Sequence, residues 1–102
     1  MATLFVTEFS GRGVEAGGAA APALLVPPLA EQTIAIGAAS VQSAAFNART
    51  TTVRVATDAA CSIQFGANPT VTITKMRMAA NSVEFFSVPA GQAFKVAVIA
   101  NT

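Results

Sequence analysis

The chain has 102 residues and a formal net charge of +1 from six basic and five acidic side chains, which predicts a single domain. Charged residues make up 11 % of it, against about 25 % in ordinary globular domains, so we expect a surface that a partner partly covers or that is weakly soluble alone. The basic residues form no cluster, which argues against direct nucleic-acid binding because phosphate contacts need clustered Lys and Arg.

The first stretch, "MATLFVTEFSGRG", has no basic segment followed by an apolar core, so we expect no signal peptide. The later stretch "AGGAAAPALLVPPLA" is apolar, but prolines interrupt it, and it is shorter than the ~20 residues that a membrane span needs. One cysteine can form no internal disulfide. These observations predict a soluble protein made in a cytoplasm, with no membrane partner.

Residues 1–30 are predicted to hold an N-terminal strand and an irregular arm. The arm, "SGRGVEAGGAAAPALLVPP", is rich in Gly, Ala and Pro and has no sustained period of 2 or 3.6, which favours turns and extended backbone over a helix. Its apolar side chains Leu24, Leu25 and Val26 need cover from water. We expect them to lie along the domain or a neighbouring subunit, and the arm to contribute more to assembly than to folding.

From residue 31 onward, apolar and polar residues alternate in short segments, which is the period of β-strands. The segments are separated by "TDAA", "GANP", "AANS" and "PAGQ", each of which favours a turn. The predicted inward residues are Ile34, Ile36, Val53, Val55, Cys61, Ile63, Phe65, Val71, Ile73, Met76, Met78, Phe94, Val96 and Val98. Residues 31–102 are therefore predicted to form one compact all-β domain, an antiparallel β-sandwich or barrel of about six to eight short strands.

The segment "VRVATDAACSIQFGANPT" holds Asp58 and Cys61, the single aspartate and the single cysteine of the chain. Cys61 is in step with Ile63 and Phe65, so we interpret it as a small buried hydrophobic residue. Asp58 stands in the turn "TDAA", where aspartate commonly accepts hydrogen bonds from backbone amides. Both are predicted to be structural, with Ser62 on the outward side.

In "SVEFFSV", strict alternation separates Val83 and Phe85 from Phe86 and Val88. Two interpretations remain open: a β-bulge turns Phe86 inward, or Phe86 and Val88 form an exposed apolar patch for a partner.

Catalytic chemistry has little support in the sequence. Histidine is absent, which removes the commonest general base and metal ligand. The five carboxylates are scattered singly, and the glycine-rich segments lack the lysine and the spacing of a phosphate-binding loop. Trp and Tyr, which stack on sugars, are absent as well. We expect no enzyme activity, no metal, no cofactor and no small-molecule ligand.

Residues from about 40 to 100 resemble a group of small virion proteins encoded by tailed bacteriophages and prophages. The similarity is carried by "VRVATDAACSIQFGANPT", by "SVEFFSVPAGQ" and by the ending "KVAVIA". It implies a place in the phage head as a capsid decoration or cement protein, whose partners are the major capsid protein and further copies of itself, as a dimer or trimer. A head-tail adaptor or the base of a fibre or spike, with a role in host recognition, is the alternative. The predicted partner contacts are Leu24, Leu25, Val26, Phe86 and Val88.

Overall fold

A computed structural model of the chain describes residues 2–14, 20–24 and 26–102. Every regular element within these ranges is a β-strand, and no described segment is a helix that could cross a membrane. The strands are β1 (Thr3–Phe9), β2 (Arg12–Val14), β3 (Ala20–Leu24), β4 (Ala30–Ala35), β5 (Val41–Gln42), β6 (Thr52–Thr57), β7 (Cys61–Gly66), β8 (Met76–Met78), β9 (Val83–Ser87) and β10 (Lys95–Ala100).

Eight of the strands form two four-stranded antiparallel sheets. The first sheet has the order β4-β1-β6-β9, and the second sheet has the order β5-β10-β7-β8. Buried side chains from both sheets form one hydrophobic core. The prediction of an all-β antiparallel sandwich is therefore confirmed.

The chain passes from one sheet to the other at nearly every step from β4 to β10, and only β7 and β8 are consecutive neighbours in one sheet. This strand order is of the jelly-roll type, in which two antiparallel sheets are wound from paired strands. The N-terminal strand β1 lies between β4 and β6, the place that the last strand occupies in an ordinary jelly roll.

Period-2 alternation decides which side chains reach the core. Val53 and Val55 of β6, Ile63 of β7, and Val96 and Val98 of β10 are buried as predicted. The core cluster consists of Leu4, Val6, Ile34, Phe46, Val53, Val55, Cys61, Ile63, Met78, Val88, Val96 and Val98, and Ile36, Phe65, Phe86 and Phe94 pack against it. Phe65 lies between two other phenylalanines, since its ring is 6.3 Å from that of Phe46 and 5.0 Å from that of Phe86.

The connection between β7 and β8 covers the outer face of the second sheet. Gln42 Nε2 donates to the carbonyl oxygen of Pro69 at 2.7 Å, and Asn101 Nδ2 donates to that of Ile73 at 3.0 Å and to Ser62 Oγ at 2.8 Å. Ser62 points away from the core, as its position in β7 predicts, yet it is fully buried. The connection thus creates a second buried layer, which includes Val71.

Two predicted inward positions near this connection are wrong. The segment "TVTIT" is a turn and not a strand, so that Val71 is buried under the connection while Ile73 is 62 % exposed. Met78 of β8 enters the core as predicted. Met76 remains half-exposed on β8, which is the edge strand of the second sheet.

The N-terminal third is more regular than the sequence indicated. β1 is an inner strand of the first sheet, so the sandwich includes Thr3–Phe9 as well as the predicted residues 31–102. The prediction of an irregular arm is wrong for Arg12–Val14 and Ala20–Leu24, which pair with each other as antiparallel strands. Neither pairs with a four-stranded sheet in the part of the chain that the structure describes.

This two-stranded ribbon continues the pairing of β1 with β4. Glu8 lies opposite Ala30, Arg12 lies opposite Leu24, and Val14 lies opposite Ala20. Gly11, at the junction of β1 and β2, has φ +140°, a conformation that side chains rarely allow. A proline is tolerated in β3 because a two-stranded ribbon has free edges where no amide hydrogen is needed. The described part of the arm is therefore a two-stranded ribbon beyond the β1–β4 pair, with a shift of register between Arg12 and Val14.

Candidate interaction surface

The outer face of the first sheet carries three large apolar side chains that water reaches. Phe5 is 44 % exposed, Val83 is 42 % exposed and Phe85 is 56 % exposed. Phe5 lies opposite Ala56, and Ala56 lies opposite Val83, so these residues form one row across β1, β6 and β9. Cross-strand neighbours stand about 4.5–5.5 Å apart at their Cβ atoms, which makes the row a continuous apolar strip.

A second row crosses the same face of the sheet, two residues further along each strand. It runs from Glu31 through Thr7 and Arg54 to Phe85. The apolar strip is thus bordered by one acidic and one basic side chain, with one threonine between them. We call these two rows together, on the first sheet, the outer face. An exposed apolar strip with a polar rim is the arrangement that marks sites of protein association.

The side chains of the outer face are exposed because their neighbours in the same strands fill the core. Leu4 and Val6 of β1 are buried, and the intervening Phe5 must then point outward. In β9, Phe86 lies opposite the buried Val53, so Phe85 takes the outer side. Phe5 and Phe85 do not belong to the core, so both side chains are available to contact another molecule.

Phe86 and Val88 were predicted partner contacts, and the structure places both against the core. The exposed patch is therefore wrong, and Phe86 is turned inward as the other interpretation expected, but not by a β-bulge. The pairing of β6 with β9 is regular from Thr52 to Ala56, so no bulge turns Phe86 inward, and Val88 is buried rather than exposed. The regular pairing with β6 is what puts Phe86 and not Phe85 over the core.

The remaining predicted contacts lie in the arm. Val26 is well exposed to solvent, which is the condition that a partner contact needs. Leu25 and the side chain of Leu24 lie outside the described residues. The prediction for these two residues therefore stays a prediction.

Cys61 and Asp58 occupy structural positions. Cys61 is fully buried, and burial raises the pKa of its thiol, an effect that a hydrogen bond with Thr57 and the charge of Arg77 partly oppose. A thiol of this kind is a poor nucleophile at neutral pH. Asp58 Oδ1 accepts a hydrogen bond from the backbone N–H of Thr3 at 2.7 Å, which fixes the start of β1 to the turn after β6.

Glu8 is a buried carboxylate that the sequence analysis did not single out. Its Oε1 accepts hydrogen bonds from Thr50 Oγ1 at 2.8 Å and from the backbone N–H of Asn47 at 2.7 Å. It is in step with Leu4 and Val6 in "TLFVTEF", so the alternation of β1 would have revealed it. No group of three or more metal-ligating side chains exists among the described residues, and Glu8 serves to anchor a loop.

Comparison with known proteins adds nothing to this description, since no family model, no curated protein and no solved structure matches the chain.

Proposed function

We propose that this protein is a virion structural protein of a tailed bacteriophage, which binds the coat-protein shell as a capsid decoration or cement protein and has no enzymatic role. The observation that carries the proposal is the outer face of the first sheet, where Phe5, Val83 and Phe85 are exposed on a chain with so few charges. A side of a sandwich that is apolar and open to water is suited to lie on another protein.

Two further arguments support the head of the particle as its place. Residues from about 40 to 100 resemble small phage virion proteins in the segments quoted above. The strand order is of the jelly-roll type, from which viral capsid domains and lectins are built. The second argument rests on fold alone, and a fold does not determine function, so the sequence resemblance has the greater weight.

The arm would extend the contact. The molecule measures 48 Å along its longest axis and 26 Å and 21 Å along the others, a shape that can span a junction between coat subunits. A ribbon with free edges can pair with a strand of a neighbour, gaining main-chain hydrogen bonds. Surface buried across such junctions stabilises the assembled shell, because a ligand that binds only the assembled state shifts the equilibrium towards it.

The experiment begins with particles of the phage or prophage whose genome encodes this chain. Their proteins are separated and quantified, and the proposal expects a band near 10.3 kDa in many copies on the head. Its absence from purified particles would refute the proposal. A few copies at the neck or tail would favour the head-tail adaptor or fibre base instead.

A variant then tests which surface binds. Phe5→Lys places a charge at the centre of the outer face, and Ile73→Lys places one at an exposed apolar residue on the connection over the second sheet. Co-sedimentation with heads that lack the protein should weaken at least tenfold for Phe5→Lys, which is about 1.4 kcal/mol. Ile73→Lys should bind as the unmodified chain does. An equal effect of the two changes would contradict the assignment of the outer face.

A further inference from the structure

The strand β9 ends the first sheet, and its outer edge has no partner strand among the described residues. Two backbone hydrogen bonds lie at the ends of the pairing between β9 and β6. Val88 N donates to Thr51 O at 2.9 Å, and Thr57 N donates to Ser82 O at 3.1 Å. Hydrogen-bonded residues alternate along an antiparallel pair. The backbone N–H and C=O groups of residues 82, 84, 86 and 88 therefore point towards β6. Those of residues 83, 85 and 87 point away from β6, to the free edge of the sheet.

The other sheet edges are blunted in ways that β9 is not. β5 has two residues and β8 has three, and the side chain of Gln32 in β4 exchanges two hydrogen bonds with the backbone of Ala44. β9 has five residues, is regular, contains neither lysine nor proline, and carries one charged residue, Glu84. Proteins ordinarily protect such an edge with charge, proline, a bulge or a short strand. With one charged side chain, Glu84, and no proline, bulge or shortening, this edge remains a template for strand pairing.

Exposed apolar side chains gather at the same edge. Val83 and Phe85 lie on its outer side, and the half-exposed Met76 of β8 lies on its inner side. Met76, Met78, Ser82 and Glu84 help to line an open cavity of about 300 Å³ between the edges of the two sheets. A single copy of the chain thus leaves both the backbone and the apolar side chains of this edge open to water.

We propose that β9 is the dimer interface of this protein, at which a second copy of the chain adds its own β9 in antiparallel orientation about a two-fold axis at Phe85. In this register Phe85 faces Phe85 of the second copy, and Val83 faces Ser87 of the second copy. The backbone groups of all three outward-facing residues are then paired. The inference does not rest on the proposed function, because it concerns the purified chain alone.

The register is selected by hydrogen bonding and by charge. Moving the axis to Glu84 leaves the peptide groups of Ser87 unpaired and sets the two Glu84 side chains directly opposite each other, and like charges in that position are destabilising. Moving the axis to Phe86 leaves Val83 unpaired. The axis at Phe85 sets Glu84 opposite Phe86 of the second copy and brings two phenyl rings together, a favourable cross-strand pair.

In the dimer, the first sheet of one copy and the first sheet of the other would form one continuous sheet. The outer faces of both copies would then form a single surface, with the two Phe85 side chains at its middle. Because a five-residue edge is a small interface, dimerisation should depend on protein concentration. The oligomeric state is measured by sedimentation velocity over a roughly hundredfold range of concentration, since the dimer fraction follows mass action.

The full chain should form a dimer whose dissociation constant rises at least tenfold in Phe85→Lys and equally in Phe85→Glu. Mixing these two variants should restore the dimer, because opposite charges then meet at the axis. Phe5→Lys is the matched control: it puts the same charge on the same face, in an inner strand, and should dimerise normally. A chain that is monomeric throughout, a Phe5→Lys variant that is as weak as Phe85→Lys, or a mixture that does not recombine would each overturn the proposal.

Disulfide trapping tests the register without relying on charge. Phe85→Cys should cross-link to itself, since directly opposite hydrogen-bonded residues have Cα atoms about 5.5 Å apart, within the range of a disulfide. Val83→Cys should cross-link to Ser87→Cys in a mixture but not to itself, because two copies of residue 83 would be ~13 Å apart. The buried Cys61 should give no product in the unmodified chain. Self-cross-linking of Val83→Cys would show that the strands pair in another register or not at all.

Discussion

Glu8 and Thr50 form a buried hydrogen bond between the first strand and the loop that leads to β6. Thr50 Oγ1 donates to Glu8 Oε1 at 2.8 Å, and the same oxygen accepts the backbone N–H of Asn47 at 2.7 Å. Both side chains are almost fully shielded from water. A buried carboxylate is stable only with such partners, so the loop and the strand depend on each other.

The first prediction concerns this contact. Glu8→Ala should lower the free energy of unfolding by about 1–3 kcal/mol, because it leaves the buried Thr50 hydroxyl and the partly buried Asn47 amide without their acceptor. Glu8→Gln keeps an acceptor oxygen at that place and should be less damaging. Urea unfolding followed by circular dichroism measures both. Equal stability of Glu8→Ala and the unmodified chain would show that water replaces the carboxylate without loss.

The second prediction uses two isoleucines that the sequence placed alike and the structure separates. Ile63 is 1 % exposed within the core, and Ile73 is 62 % exposed on the β7–β8 connection. Ile63→Asp should prevent folding, because an unpaired buried charge costs several kcal/mol of a total of about 5–15. Ile73→Asp should change stability by about 0.5 kcal/mol or less. Thermal unfolding compares them, and a cooperatively folded Ile63→Asp protein would contradict the described core.

The sandwich was predictable where alternation is strict and a turn residue stands at each end. β6, β7 and β10 satisfy both conditions, and their inward residues are Val53, Ile63 and Val96 in the structure as in the sequence. The connection over the second sheet was not predictable, because "TVTIT" alternates equally well as a strand. What decides its conformation is long-range bonding, such as that from Asn101 to the carbonyl oxygen of Ile73.

The candidate surface was harder to predict than the fold. In "EFF", two consecutive phenylalanines leave the phase of the strand undetermined, and only the register with β6 assigns Phe86 to the core and Phe85 to the outer face. The exposure of Phe5 follows from the alternation of "TLFVTEF" once Leu4 and Val6 are known to be buried. Phe5 and Phe85 are the same residue type as the phenylalanines that pack in the core, so the sequence alone could not identify them as surface residues.

The third prediction concerns the thiol of Cys61. Burial raises its pKa above the ordinary value of 9.0, so above pH 9.0 the folded chain holds a proton that the unfolded chain has lost. Stability then falls as pH rises above 9.0 and levels off beyond the pKa of the folded state. Cys61→Ala lacks this contribution. The difference in unfolding free energy between the two proteins should therefore change with pH above 9.0 and be constant below it.

The same thiol provides a kinetic check in native protein. A thiol reagent should modify Cys61 slowly at neutral pH, and at a rate that rises in step with added denaturant, because reaction requires opening of the core. Fast modification under native conditions would contradict the burial of Cys61 and with it the inward phase of β7.

The fourth prediction separates the arm from the sandwich. Deleting residues 12–28 joins Gly11 to Leu29, whose backbone N–H donates to the carbonyl oxygen of Glu8 at 2.7 Å, so β1 and β4 could remain paired through a short hairpin loop. We expect this variant to fold. Deleting residues 1–28 also removes β1, an inner strand that pairs with both β4 and β6, and should leave the chain unfolded.

Circular dichroism and thermal unfolding measure the folding of both deletions, and co-sedimentation with phage heads measures the binding of the folded one. The deletion of residues 12–28 should bind at least tenfold more weakly, about 1.4 kcal/mol, because the exposed Val26 and the free edges of the ribbon are lost while the outer face is kept. A folded deletion that binds heads as well as the full chain would show that the arm makes no contact with the shell, and that the outer face around Phe5 and Phe85 is sufficient. A deletion of residues 1–28 that still folds would contradict the inner position of β1, on which the strand order of the first sheet depends.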